Sequence, residues 1–197
     1  MTLDAYRGRM GRILDPVALT LSKHGVSANQ LSLLSLLSAV VAGASFYVQA
    51  LSLAAIAIAL NALFDALDGC VARSSNSESR KGDMIDHVID RYADILIFGG
   101  ITFGGYVAWQ VGLVALVGIL MTSYLGTQAQ AIGVGRTYRG LLGRADRLII
   151  VFVVTIATIL FPANIVWFPL LGWMMVALAV ASNVTALQRF YLVYREL

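Results

Sequence analysis

Four aspartates, Asp65, Asp68, Asp86 and Asp90, sit inside stretches that are otherwise apolar enough to lie in lipid. A carboxylate buried unpaired at membrane depth costs several kcal/mol, so such acids are expected where a cation or a polar cavity offsets that cost. Their spacing narrows the chemistry. Asp65 and Asp68 are three residues apart and Asp86 and Asp90 four apart, which places each pair on one face of its own helix. Two such helices can converge on one metal cluster, and carboxylate oxygens are the donors that magnesium or manganese takes.

The chain that must position them has 197 residues, of which 59% are hydrophobic and only 13% charged, about half the charged share of a soluble domain. That balance predicts an all-α, polytopic integral membrane protein, and the length predicts one membrane domain over residues 1–197. The single cysteine, Cys70, lies within the acidic stretch and can form no internal disulfide. Met1 to Lys23 lacks a short apolar core followed by a small-residue cleavage site, so no removable signal peptide is expected. Nothing in the pattern asks for nucleic acid.

Hydropathy predicts six transmembrane helices, at about Asn29 to Val48, Leu51 to Ala72, Met84 to Val107, Val111 to Ala131, Leu148 to Phe161 and Ile165 to Leu187. They make a six-helix core over 27–197, with Ser27 as N-cap of the first span and Pro162-Ala163-Asn164 as a tight turn before the last. Residues 1–26 predict an interfacial helix, with Leu14, Val17, Leu19 and Leu21 on the membrane and Arg7, Arg9 and Arg12 toward headgroups. Arginine and lysine fall on alternate connections. Lys23, Arg73, Arg80, Lys81, Arg136, Arg139, Arg144, Arg189 and Arg195 all belong to one side, whereas the intervening turns carry no basic residue. The positive-inside rule then puts both termini and the acidic cluster in the cytoplasm.

The acidic stretch reads Asp65-Ala66-Leu67-Asp68-Gly69-Cys70-Val71-Ala72-Arg73, then eight residues, then Gly82-Asp83-Met84-Ile85-Asp86-His87-Val88-Ile89-Asp90. This resembles the signature of the CDP-alcohol phosphotransferase (CDP-alcohol phosphatidyltransferase) family, D-x2-D-G-x2-A-R-x8-G-x3-D-x3-D, with every fixed position and gap matched. The resemblance implies a membrane enzyme in which an alcohol attacks the lipid-side phosphorus of a CDP-lipid and CMP leaves. It further implies Mg2+ or Mn2+, as two ions, held by Asp65, Asp68 and Asp86. Asp90 becomes the general base that takes the acceptor hydroxyl proton while also touching a metal. Gly69, Arg73 and Gly82 would receive the CDP moiety, the glycines because a missing side chain lets a nucleotide approach the backbone. A homodimer in a prokaryotic cell membrane is implied as well. Taken alone, Gly69 and Gly82 read more readily as helix-packing residues than as nucleotide contacts.

Neighbouring residues carry simpler readings. Asp94 continues the Asp86 and Asp90 stripe by one turn and can pair with Arg91 or a hydroxyl. Asp83 is placed at the cytosolic mouth. His87 is read as a packed histidine off the acidic face, His24 as part of an N-terminal turn, and Asn61 as a nucleotide contact or a link between two helices. Trp109, Trp167 and Trp173 are read as interfacial belt residues.

The acceptor side rests on Leu142-Gly143-Arg144-Ala145-Asp146-Arg147 and the later Gln188-Arg189. These segments resemble the prokaryotic phosphatidylinositol-phosphate and archaetidylinositol-phosphate synthase branch, which implies that Arg147 and Arg189, with Arg144 beside them, hold an acceptor phosphate. Guanidinium forks suit a phosphomonoester better than a neutral alcohol. The fourth span departs from that branch. It reads Ser123-Tyr124-Leu125-Gly126-Thr127-Gln128 where those synthases carry a basic pair, so glycerol phosphate stays open beside inositol phosphate. The donor is a CDP-lipid carrying diacylglycerol or archaeol. The remaining alternatives are transfer from a soluble CDP-amino-alcohol to diacylglycerol and, from another class, a magnesium channel or carrier. Transport has no use for Gly69, Arg73 and Gly82.

Overall fold

The computed structural model describes residues 7–75, 79–135, 140 and 142–197, with side chains described from Leu14 onward. Arg136 and Arg139 and the side chains of Arg7, Arg9 and Arg12 lie outside the described residues. Seven helices occur among the described residues: α1 (Arg7–Lys23), α2 (Ala28–Tyr47), α3 (Leu51–Ser74), α4 (Arg80–Phe103), α5 (Trp109–Ala131), α6 (Arg144–Leu160) and α7 (Leu170–Glu196). The all-α expectation holds, and each predicted span has a helix at its position. On length and composition alone, α2, α3, α5 and α7 are able to cross a bilayer. The first half of α4 is too charged, and α6 has 17 residues, to meet the same standard.

Helix ends follow local chemistry. The N-cap Ser27 accepts from the Gln30 N–H, and Gln30 Oε1 accepts in return from the Ser27 N–H at 2.9 Å. Ser79 caps α4 by accepting from the Gly82 N–H at 3.0 Å, so this helix begins before Met84 and stops at Phe103 rather than Val107, ahead of Gly104 and the positive-φ Gly105. The turn before the last helix is longer than Pro162-Ala163-Asn164. Ile165 and Phe168 pair through their backbones, and Pro169 holds α7 back to Leu170, because the residue preceding a proline is pushed out of helical conformation. The Trp173 indole N–H donates to the Ile165 carbonyl at 2.9 Å and its ring meets Phe168 edge-on, which ties this turn to the start of α7. Trp109 and Trp167 are exposed.

The main packing seams join α2 to α3 and α4, α3 to α6, α6 to α7, α7 to α5, and α5 to α4, closing a ring of six helices in the order 2-3-6-7-5-4. Size is distributed in the manner of a membrane protein. The inner face of α2 carries Ser32, Ser35, Ser38, Ala39, Ala42 and Gly43, while Leu33, Leu37, Val40 and Val41 point outward. Small residues inside let helices approach closely, and an apolar exterior needs lipid around it. The protein is an integral membrane protein.

Two helix backbones approach closely at Gly43 and Gly100. A Cβ on Gly100 would strike the Gly43 carbonyl oxygen and come within 2.7 Å of the Gly43 Cα, and one on Gly43 would strike the Leu96 carbonyl oxygen. Gly100→Val is therefore expected to force α2 and α4 apart and destabilise the protein by about 1–3 kcal/mol, the usual cost of overpacking. Thermal unfolding in detergent checks this; an unchanged midpoint would show that the seam yields.

Helix α1, for which an interfacial position is expected, differs from expectation on one face. Leu14, Ala18 and Leu21 form a stripe that packs with Leu67, Cys70 and Val71 of α3, so Leu14 and Leu21 face protein rather than lipid. Val17 and Leu19 remain exposed. The helix continues through Pro16. It braces the end of α3 that carries the acidic motif.

Candidate active site

Antiparallel neighbours bring the end of α3, the starts of α4 and α6, and the end of α7 to one end of the ring. The acids meet there. Oxygens of Asp65, Asp68 and Asp86 lie within 4.8 Å of one another. Asp68 is 6% exposed and accepts a 2.7 Å hydrogen bond from Ser32 Oγ on α2, while Asp65 and Asp86 are half-buried. Asp90 is outside this trio and is joined to it by a cation: Arg144 Nη1 stands 2.7 Å from Asp65 Oδ1 and 2.9 Å from Asp90 Oδ1. Arg91 adds a contact of 3.4 Å to Asp90.

Among the described residues, a Cβ on Gly69 would meet the tip of Arg73, at 3.4 Å, and one on Gly82 would meet Ser79 Oγ, at 3.3 Å, side-chain contacts in contrast with the backbone collisions at Gly43 and Gly100. Arg73 is exposed and donates to Cys70 Sγ at 3.2 Å.

The other residues sort as follows. Asn61 links helices: its Nδ2 donates to the carbonyl and the hydroxyl of Ser35 at 2.9 and 2.8 Å, welding α3 to α2. His87 is closer to the acids than expected, with ring nitrogens 3.7 Å from Asp86 and 3.8 Å from Asp83, because one residue on a helix turns by only about a quarter-circle. Asp94 is 1% exposed. Its partners are Arg147 Nη2 at 3.2 Å, Arg144 Nε at 3.6 Å and Arg91 Nη2 at 4.0 Å. Arg147 is as buried as Asp94, and Arg189, 6% exposed, donates from Nη1 to the Thr122 carbonyl at 2.7 Å. Arg144 and Arg147 thus meet at one carboxylate, whereas Arg189 is tied into the α5–α7 seam.

Sequence reasoning passes over Ser32 and Asp146. Ser32 belongs to a serine stripe on α2, with Ser35 and Ser38, which is visible in the sequence as a polar face on an apolar helix. Asp146 accepts from the Gly143 N–H at 2.8 Å and so fixes the first turn of α6, from which Arg144 and Arg147 project.

Residues 25–185 match the family model of the CDP-alcohol phosphatidyltransferases. The chain belongs to that family. The archaetidylinositol phosphate synthase of Pyrococcus horikoshii is 36% identical over 154 residues, covering 78% of this chain and 82% of that protein. That of Methanothermobacter thermautotrophicus is 31% identical over 195 residues, covering 99% and 95%. A crystal structure of Mycobacterium tuberculosis phosphatidylinositol phosphate synthase with CDP-DAG bound superposes with a TM-score of 0.78 at 30% identity, covering 93% of this chain and 94% of that one. The same enzyme in complex with manganese and citrate gives a TM-score of 0.77 at 28% identity, covering 92% and 88%.

For a CDP-alcohol phosphatidyltransferase the arrangement is chemically coherent. Three carboxylates from two helices form a hard, anionic donor set of the kind divalent magnesium or manganese takes, and the Arg144 guanidinium between Asp65 and Asp90 shows that positive charge belongs there. Next to it lie guanidinium groups with unused donors: among the described residues, Arg144 Nη2 and Arg147 Nε are buried without a hydrogen-bond partner. Buried donors are nearly always satisfied in proteins, so orphaned ones mark a place for an acceptor.

Proposed function

We propose that the protein transfers a phosphatidyl or archaetidyl group from a CDP-lipid to the hydroxyl of a phosphorylated polyol, inositol phosphate or glycerol phosphate, and releases CMP. The observation that carries this is the juxtaposition at one end of the ring of the Asp65, Asp68 and Asp86 trio, Asp90, and arginines with unpartnered donors. Its relatives supply the substrate class. The archaeal and mycobacterial proteins are named for making archaetidylinositol or phosphatidylinositol phosphate, and one was crystallised with CDP-DAG.

In this reading Asp65, Asp68 and Asp86, with Asp90 at their edge, hold two Mg2+ or Mn2+ ions. Such ions neutralise the pyrophosphate and polarise its phosphorus for attack. Gly69 and Gly82 leave room for the nucleotide, and Arg73 clamps the pyrophosphate. Asp90 takes the proton as the acceptor oxygen bonds to the lipid-side phosphorus and the bond to the CMP oxygen breaks. Arg144, Arg147 and Arg189 hold the acceptor phosphate. All six helices α2 to α7 cross the membrane as one domain, α1 lies at its cytoplasmic face, and both termini and the site face the cytoplasm of a prokaryotic cell. The basic residues shared by those ends support that orientation. The homodimer implied by the family resemblance belongs to the same reading.

Release of CMP from a CDP-lipid, tested against a panel of phosphorylated and unphosphorylated polyols, is the direct experiment; no release with any acceptor would return the acids to a transport role. Asp90→Asn is expected to lower turnover by about a hundredfold or more while CDP-lipid affinity changes little, because what is removed is chiefly the proton acceptor. Loss of CDP-lipid affinity in proportion to rate would make Asp90 a ligand instead of a base.

A further inference from the structure

We propose that Asp94 is a positioning residue for the acceptor: its buried carboxylate holds the Arg147 and Arg144 guanidinium groups so that their remaining donors are left for the acceptor phosphate. The inference rests on the acceptor-phosphate reading above.

Asp94 lies one helical turn beyond Asp90 on the stripe that carries Asp86 and Asp90, so α4 aims it at the same side. It takes no place in the trio of acids. Its oxygens are instead divided among arginines, Oδ2 to Arg147 and Arg91 and Oδ1 to Arg144 Nε. Arg147 and Asp94 are both 1% exposed, and burying a guanidinium without a partner would be prohibitive, so this carboxylate is what allows Arg147 to sit at this depth. The division leaves specific atoms over. Asp94 engages one terminal nitrogen of Arg147, whereas Arg147 Nε and Arg144 Nη2 are buried and unpartnered among the described residues. Two forks fixed at one edge, each with a donor to spare, are pre-organised for a tetrahedral oxyanion.

The geometry also separates Asp94 from the donor side. Arg144 touches both groups of acids, with Nη1 on Asp65 and Asp90 and Nε toward Asp94, and Arg91 reaches Asp90 at 3.4 Å and Asp94 at 4.0 Å, whereas Arg147 pairs with Asp94. Removing the Asp94 charge should then be felt through Arg147 by the acceptor and much less by the CDP-lipid. A merely structural carboxylate would affect both substrates alike, or neither.

The test is a double-mutant cycle on the purified, monodisperse full chain, with Asp94→Asn, Arg147→Met and the pair, measuring the Michaelis constants for CDP-lipid, a phosphorylated polyol and its unphosphorylated counterpart. Asp94→Asn is expected to raise the constant for the phosphorylated acceptor by about tenfold or more, to erase preference for it over the unphosphorylated one, and to leave that for CDP-lipid within about twofold. In the Arg147→Met background it should add no more than about twofold, the share that acts through the longer contact to Arg144. Asp94→Glu should recover part of the preference. If Asp94→Asn alone does not fold, the pair removes both buried charges together and is compared with Arg147→Met. A further tenfold loss in that comparison would overturn the proposal, as would equal losses for both substrates. If Arg147→Met erases the preference and Asp94→Asn does not, only the positioning role fails. If Arg147→Met keeps the preference, Arg147 does not hold the acceptor phosphate and the role of Asp94 falls with that assignment.

Discussion

Asp65→Asn, Asp68→Asn and Asp86→Asn should each lower transfer by at least about a hundredfold, since each removes one anionic donor from a site that must neutralise a pyrophosphate, and such stabilisation amounts to several kcal/mol. Folding should survive in all three. Asparagine keeps the shape of aspartate, and the amide introduced by Asp68→Asn would still offer an oxygen to the Ser32 hydroxyl that now donates to Asp68 at 2.7 Å. Asp65 is the informative member, because its loss also takes one of the three acids from Arg144. Activity of the three purified variants across a magnesium series is the measurement, with monodispersity as the control. Near-normal turnover at ordinary magnesium in any of them would show that its carboxylate is not a metal ligand.

The acids are legible in the sequence because two constraints act on them together. Helical periodicity fixes which residues share a face, and the cost of charge in lipid leaves few reasons for aspartates to be there, so a meeting of Asp65 and Asp68 with Asp86 is expected once α3 and α4 converge, and their oxygens do lie together. Spacing also puts Asp90 on the correct helix face, but its link to Asp65 passes through Arg144, some eighty residues away in sequence, and no local rule carries that information. Asp94 shows the same limit. Its extension of the stripe is visible, whereas its partner Arg147 arrives from α6 through the closure of the ring. The helices themselves are readable from hydropathy, and their ends are not. Ser79 and Pro169 set those ends through a hydrogen bond and a steric exclusion that an apolar average does not register.

Arg147 and Arg189 offer the sharper test of substrate class. Replacing either with methionine, which keeps the length of the stem and removes every donor, should raise the acceptor's Michaelis constant by roughly 10- to 150-fold, the equivalent of a charge-assisted contact worth about 1.5–3 kcal/mol. The constant for CDP-lipid should change little, because neither residue contacts the trio of acids. The two variants should differ in stability. Arg147→Met leaves the Asp94 carboxylate buried with only the longer contacts to Arg144 and Arg91, at 3.6 and 4.0 Å, whereas Arg189→Met removes a hydrogen bond to the Thr122 carbonyl. An uncompensated buried carboxylate costs more than a carbonyl that has lost one charged donor, so Arg147→Met should unfold at the lower temperature. The competing account is that both arginines only tie helices together. It is consistent with their burial and with Gly126 and Gln128 standing where the resembling synthases are basic. The two accounts part on the acceptor. Helix ties would give variants that are less stable yet unchanged in acceptor constant, and preferred use of an unphosphorylated alcohol by both would remove the phosphate pocket while leaving transfer from a CDP-lipid in place.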